Sequence, residues 1–204
     1  MADIQHAQTA ALKQKFLAAC RYLIEENDKK NVERVRELAW KLLRHEFGIA
    51  FCGHFSAGKS RMINCLLGEN LLPSSPIPTS ANLVKVHAGE EYAAVFFRSG
   101  KARKYPAPYD YEMVRAYCRD GDAIAAIELS HAGINLPENV VILDTPGIDS
   151  VDDAHRIATE SAIHLADLIF YVMDYNHVQS ELNFMFTREH TDAGRIEVRV
   201  EADR

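Results

Sequence analysis

The stretch Gly53-His54-Phe55-Ser56-Ala57-Gly58-Lys59-Ser60 fits G-x-x-x-x-G-K-[ST] without a gap. From average residue usage, a chance match in a chain of this length arises roughly one time in a hundred. Its surroundings sharpen it. Phe47-Gly-Ile-Ala-Phe-Cys-Gly53 is a short apolar run closed by glycine, as expected of a central strand covered on both faces, and Arg61 to Gly68 alternates as a helix would. A strand, a glycine-bearing bend and a helix N-terminus in that order turn successive backbone N–H groups toward a phosphate. Within the loop Lys59 is placed to reach the outer phosphates and the Ser60 hydroxyl to ligate Mg²⁺, while Gly53, His54, Phe55, Ser56, Ala57, Gly58 and the flanking Arg61 line the bound chain of phosphates.

Leu143-Asp144-Thr145-Pro146-Gly147 is the second piece, a carboxylate at the end of the buried run Val140 to Asp144 followed by a tight turn. Asp144 is placed to hold the Mg²⁺ shell, and the Gly147 N–H to reach a γ-phosphate and couple its presence to the loop beyond. Thr79, in Pro78-Thr79-Ser80, stands where a switch residue would bring hydroxyl and carbonyl to Mg²⁺ and γ-phosphate, with Ser80 a weaker choice. His54 and Arg61 read first as solvated side chains beside the loop, with action across a dimer as the alternative. Asp149, Asp152 and His155 read as surface charge.

The chain carries 23 Lys+Arg against 29 Asp+Glu over 204 residues, a net charge of −6 that offers no field for a phosphate backbone and disfavours a nucleic-acid partner. No uncharged apolar run approaches the ~18–20 residues that span a bilayer, and no signal-type core opens the chain, so a cytoplasmic protein is expected. Cys20, Cys52, Cys65 and Cys118 lie far apart without a C-x-x-C pair, which suits reduced thiols.

Helical spacing over Ile4 to about Glu26 and Val32 to about His45, broken at Asn27 to Asn31, predicts a helical hairpin over residues 1–46, followed by the main domain over 47–204. Three prolines keep Glu69 to Ser80 irregular. Asn82 to His87 and Tyr92 to Arg98 read as strands joined hairpin-fashion at Ala88-Gly89, with a third from Lys101 to Tyr105. Tyr109 to Arg119 reads as a helix, and Ile124 to Ser130 fits helix or strand. Asp153 to Leu165 and Gln179 to His190 read as helices around a buried strand from Leu168 to Asp174. Strands alternate with helices, so the class is α/β.

Gly53 to Ser60, Asn64-Cys-Leu-Leu-Gly-Glu69, Leu72-Pro-Ser-Ser-Pro-Ile-Pro-Thr79 and Asp144-Thr-Pro-Gly147 together resemble the GTPase domain of bacterial dynamin-like proteins, relatives of dynamins and mitofusins, over about Ile49 to Asn183. The proline-rich stretch and the 64 residues between Thr79 and Asp144 are the more selective features. The resemblance implies a P-loop GTPase-type three-layer α/β/α fold with a mostly parallel sheet, and a preceding hairpin that belongs to a helical bundle. It implies GTP as substrate, Mg²⁺ as cofactor, hydrolysis promoted by a second copy of the chain across the nucleotide face, and membrane remodelling through regions outside these residues, at the cytoplasmic face. Carried over, Ser56, Lys59, Thr79 and Gly147 serve catalysis, Ser60, Thr79 and Asp144 hold the metal, and Ser56 helps hold a monovalent cation. Phe55 falls where eukaryotic dynamins place a water-orienting glutamine, so that role does not transfer and the ring reads as packing.

The pattern departs at one place. No [N/T]-K-x-D run for reading guanine occurs, and Arg195 to Arg204 alternates charge with apolar residues where a central strand should be apolar on both faces. The expectation drawn from this is a domain incomplete on its C-terminal side, with a divergent GTPase that reads the base another way as the alternative. Two rival functions stay in view: a ribosome-assembly-type GTPase, which shares the loop and Asp-Thr-Pro-Gly, and a nucleotide-binding module without turnover.

Overall fold

The computed structural model describes residues 2–73, 82–119, 123–148, 153–174 and 180–192. The chain divides into two compact units, Met1–Glu46 and Phe47–Arg204. The first is a hairpin of α1 (Ala2–Glu25) and α2 (Lys29–Arg44). Asp28 starts α2 by accepting the Asn31 N–H at 3.1 Å, and the Asn31 carboxamide returns to its other oxygen at 2.7 Å. His45 ends the helix in the left-handed region at φ 53°. Leu17, Tyr22, Ile24, Trp40 and Leu43 are exposed on this hairpin.

The second unit is a seven-stranded sheet with the order β4-β3-β5-β2-β6-β1-β7. In chain order its elements are β1 (Phe47–Gly53), α3 (Lys59–Leu67), β2 (Leu83–Ala88), β3 (Tyr92–Phe97), β4 (Ala102–Pro106), α4 (Tyr111–Arg119), β5 (Ile124–His131), β6 (Val140–Asp144), α5 (Asp153–Leu165), β7 (Leu168–Val172) and α6 (Glu181–Asp192). The α/β class stands as expected, and Ile124–His131 resolves to a strand.

The sheet is mixed rather than mostly parallel. β1 pairs in parallel with β6 and β7, and β2 with β5, but β2 runs antiparallel to β6, and β3 runs antiparallel to both β4 and β5. The short link after β2 does not make a hairpin either, because β5 lies between β2 and β3. The link instead crosses the end of β5: the Gly89 N–H donates to the His131 carbonyl, and a Cβ at Gly89 would lie 3.0 Å from the Ser130 hydroxyl. A pattern of apolar alternation gives the strands but cannot say which strand slips between two others.

Strand alternation places two helical covers on the sheet. Phe51 belongs to one buried cluster with Ile63 and Leu67 of α3, Val114 and Cys118 of α4, and Val84, Val86, Val95, Ile127, Leu129 and Ile142 of the strands. Ala50, Cys52 and Leu143 point the other way and are equally buried, on the side where α5 lies against β1 and β2. Tyr171 of β7 pairs in register with Cys52 and stacks on Phe186 of α6, its hydroxyl donating to Asn183 at 2.5 Å, so α6 shares that side. The C-terminal ends of β1 and β6 adjoin in register, Phe51 opposite Asp144, which brings the two sequence motifs together.

Candidate nucleotide site

β1 ends at Gly53, whose φ of +149° and closeness to β7 leave no room for a side chain: a Cβ there would lie 2.1 Å from the Val172 carbonyl oxygen. The chain then bends back through Ser56, held left-handed at φ +61°, and Gly58 at φ +94°, which opens α3. No side chain caps that helix start, so its first N–H groups face the concavity of the loop. Lys59, 7% exposed, folds over this bend and donates to the carbonyls of Gly53 at 3.0 Å and His54 at 2.8 Å.

Ser60 and Asp144 meet across the site. The Ser60 hydroxyl donates to Asp144 Oδ2 at 2.8 Å, and Asp144 is fully buried. An alcohol and a carboxylate oxygen side by side suit a hard, oxygen-seeking cation, and a carboxylate withdrawn from water gains from such a charge. These residues fit Mg²⁺. Next in the chain, the Thr145 hydroxyl donates to the Phe51 carbonyl at 2.8 Å, and the Ile148 N–H reaches the Gly53 carbonyl at 3.2 Å. Gly53 O is thus shared by Lys59 and the start of the second loop. Beneath lies the Cys52 thiol, which burial pushes up to about 12, so it packs as a small apolar group.

Of the residues expected from sequence, Gly53 to Arg61, Asp144 and Gly147 are gathered at the ends of β1 and β6. Thr79, Ser80, Asp149 and Asp152 lie outside the described residues, as does the side chain of His155. Arg61 is exposed, as its solvated reading has it. His54 is different: it is 8% exposed and its Nε2 lies 3.0 Å from the Ser180 hydroxyl. That hydroxyl also accepts the Asn183 N–H at 3.2 Å, so the phosphate loop is tied to the first turn of α6. Ser180 escaped sequence reading because a helix-capping serine carries no mark of a distant partner. Phe55 is 36% exposed, at the rim of the loop rather than packed inside. All four cysteines are free thiols.

A twisted α/β sheet with a glycine-bearing loop feeding a helix, and an acidic strand end beside it, defines a nucleotide-binding P-loop domain. The family model described as "Dynamin family" matches residues 49–198, and the chain belongs to that family. It is 43% identical over 165 residues to Dynamin-like protein A of Bacillus subtilis, covering 81% of this chain and 14% of that protein. Similarity extends to Mitofusin-2 of Homo sapiens, at 29% identity over 123 residues, 58% of this chain and 16% of that protein. A solved structure of an oligomerised bacterial dynamin pair, described as a mechanism for long-range sensing and tethering of membranes, shares the fold at a TM-score of 0.57 and 23% identity, over 88% of this chain and 36% of that one. The second unit is therefore a dynamin-like GTPase domain, and the chain spans a minor part of its relatives' length. No described helix is long and apolar enough to cross a membrane.

Proposed function

We propose that the domain binds GTP at the Gly53–Ser60 loop and hydrolyses it with Mg²⁺, and that a second copy of the chain, meeting it across the nucleotide face, promotes the reaction. The observation that carries the reading is the meeting of Ser60 with buried Asp144 beside an uncapped helix start and a folded-in Lys59. The N–H groups of the loop and of the first turn of α3 take the β- and γ-phosphate oxygens. Lys59 exchanges the carbonyls of Gly53 and His54 for phosphoryl oxygens, trading neutral acceptors for charged ones. Ser60, Thr79 and Asp144 would hold Mg²⁺, which would supply charge neutralisation at the transferring group. Gly147 donates its N–H to the γ-phosphate, and a backbone carbonyl near Thr79 orients the attacking water once two chains meet. Ser56, with a backbone already in the left-handed region, helps hold a monovalent cation there.

In this reading residues 1–46 are one segment of a helical bundle, residues 47–204 are the GTPase unit, and nucleotide-driven motion remodels a membrane at its cytoplasmic face through other regions of the parent protein. Nucleic acid has no part in it. Single-turnover GTP hydrolysis over a range of protein concentrations tests the proposal: the rate per chain rises with concentration, and Lys59→Ala abolishes it. A Lys59→Ala protein that hydrolyses GTP at the parental rate overturns the reading, and ATP competing equally with GTP overturns the choice of base.

A further inference from the structure

The phosphate loop is organised around one carbonyl. The His54 oxygen accepts from Lys59 at 2.8 Å and from the Ala57 N–H at 3.3 Å, and the second bond closes a turn over His54-Phe55-Ser56-Ala57 with Ser56 left-handed at its third position. A shift of His54 therefore carries the amides of the turn and the resting place of Lys59 with it.

Two neighbours fix where that carbonyl stands. On one side Gly53 lies against the Val172 carbonyl of β7, too close for a side chain. On the other the buried His54 ring brings Nε2 within 3.0 Å of the Ser180 hydroxyl. Ser180 is itself held: its hydroxyl accepts the Asn183 N–H at 3.2 Å and its carbonyl the Phe184 N–H at 3.1 Å, so it caps α6. A serine oxygen that accepts one N–H keeps a second lone pair and its own proton, and so serves either tautomer of His54. Asn183, also buried, accepts from the Tyr171 hydroxyl of β7 at 2.5 Å, and the Tyr171 ring stacks on Phe186 with centroids 4.7 Å apart. A continuous line of contacts thus runs from β7 through the first turn of α6 to the pivot of the phosphate loop.

We infer that Ser180 and the His54 ring form a strut that preorganises the phosphate loop, so that the placement of α6 sets nucleotide affinity and bound nucleotide in turn steadies α6. Ser180 and the His54 side chain are positioning groups here, and the inference rests on the GTP-binding reading above. With the strut in place the amides of the turn are ordered before the phosphates arrive; without it the ordering cost falls on binding. The contact at stake is one hydrogen bond between groups largely withdrawn from water, a factor of about five in affinity. Coupling between two sites is reciprocal, so whatever α6 contributes to binding returns as resistance of α6 to opening once nucleotide is bound.

The test is calorimetry with GDP, which occupies the loop without turnover, on the parental protein, Ser180→Ala, His54→Phe and the double variant, each checked for folding by circular dichroism and thermal melting. His54→Phe keeps a ring of similar size and leaves the Ser180 cap in place, so it separates the strut from fraying of α6, and it carries the test if Ser180→Ala does not fold. The expected result is GDP bound about fivefold more weakly by each single variant and, by the double variant, within about twofold of the singles, because the second change removes nothing further. Hydrogen exchange gives a second readout: GDP is expected to slow exchange of the α6 amides in the parent and not in His54→Phe. A folded His54→Phe protein with parental GDP affinity overturns the inference, as do losses that multiply in the double variant or protection of α6 by GDP that survives in His54→Phe. In each of those cases the parent still binds GDP and the GTPase reading stands, whereas a parent that binds neither GDP nor GTP overturns both.

Discussion

Ser60 and Asp144 stand 84 positions apart in the sequence, and the hydroxyl of one donates to the carboxylate of the other at 2.8 Å. The bond depends on two elements being placed independently, the start of α3 by the Gly53–Gly58 bend and the end of β6 by its register with β1. The proposed metal-ligating role of Ser60 and a merely structural one predict different behaviour. Ser60→Ala is expected to fold, because it deletes one small polar group at the rim of a formed loop. Calorimetry with Mg²⁺ and with chelator is expected to show GTP bound about tenfold more tightly with metal by the parent, and within about twofold in both conditions by the variant.

Gly53 and Gly58 separate two kinds of glycine requirement. A methyl at Gly53 meets the Val172 carbonyl at 2.1 Å, whereas one at Gly58 has nothing within 4 Å and suffers only the left-handed backbone. Gly53→Ala therefore costs about 3 kcal/mol or more of stability, since β1 and β7 must part, and Gly58→Ala about 1–2 kcal/mol. Urea unfolding of the two variants checks the order; equal midpoints contradict it.

Acid should weaken the fold through Glu128. Its carboxylate accepts from His87 at 3.2 Å and from the Tyr92 hydroxyl at 2.5 Å, and the His87 bond, followed by Tyr92 and the charges of His87 and Lys85, holds it at about 2 against an ordinary value of 4.5 despite partial burial. A folded-state value below the unfolded one adds stability that is complete above pH 4.5 and lost as pH falls toward 2. The full increment is of order 3 kcal/mol. Glu128→Gln should flatten stability against pH across that window while leaving the neutral and alkaline limbs in shape, as read by denaturant titrations at successive pH values.

The cysteines should differ sharply in reactivity. Cys65 is exposed, while Cys52 and Cys118 are buried and Cys52 is in addition held protonated by burial to about 12. Brief alkylation of native protein at pH near 8, followed by mass mapping, should modify Cys65 and spare Cys52 and Cys118 until denaturant is added. Early labelling of Cys52 contradicts the packing of β1.

Much of this was legible in the residues because their chemistry is local. The phosphate loop, the acid at the end of β6 and the helical hairpin each follow from a contiguous run whose periodicity or spacing has one physical reading. What escaped depends on pairing at a distance. The insertion of β5 between β2 and β3 leaves no trace in either strand's alternation, since His87, Ser130 and Tyr92 would alternate identically in a simple hairpin. His54 reads as a solvated loop residue until Ser180 is brought beside it across 126 positions. Asn64 and Asn82 look like ordinary helix and loop polar residues, yet both are buried because each satisfies backbone groups of another segment.

The oxygen of Gly53 serves two masters. It is grasped by the Lys59 ammonium at 3.0 Å and by the Ile148 amide at 3.2 Å. A ligand that draws the ammonium away leaves that oxygen richer in electron density and the amide its stronger suitor, so the departing cation tightens the grip on the turn that follows β6. Arrival at one loop and bracing of the other are then a single exchange at one atom, requiring no relay of moving parts between them.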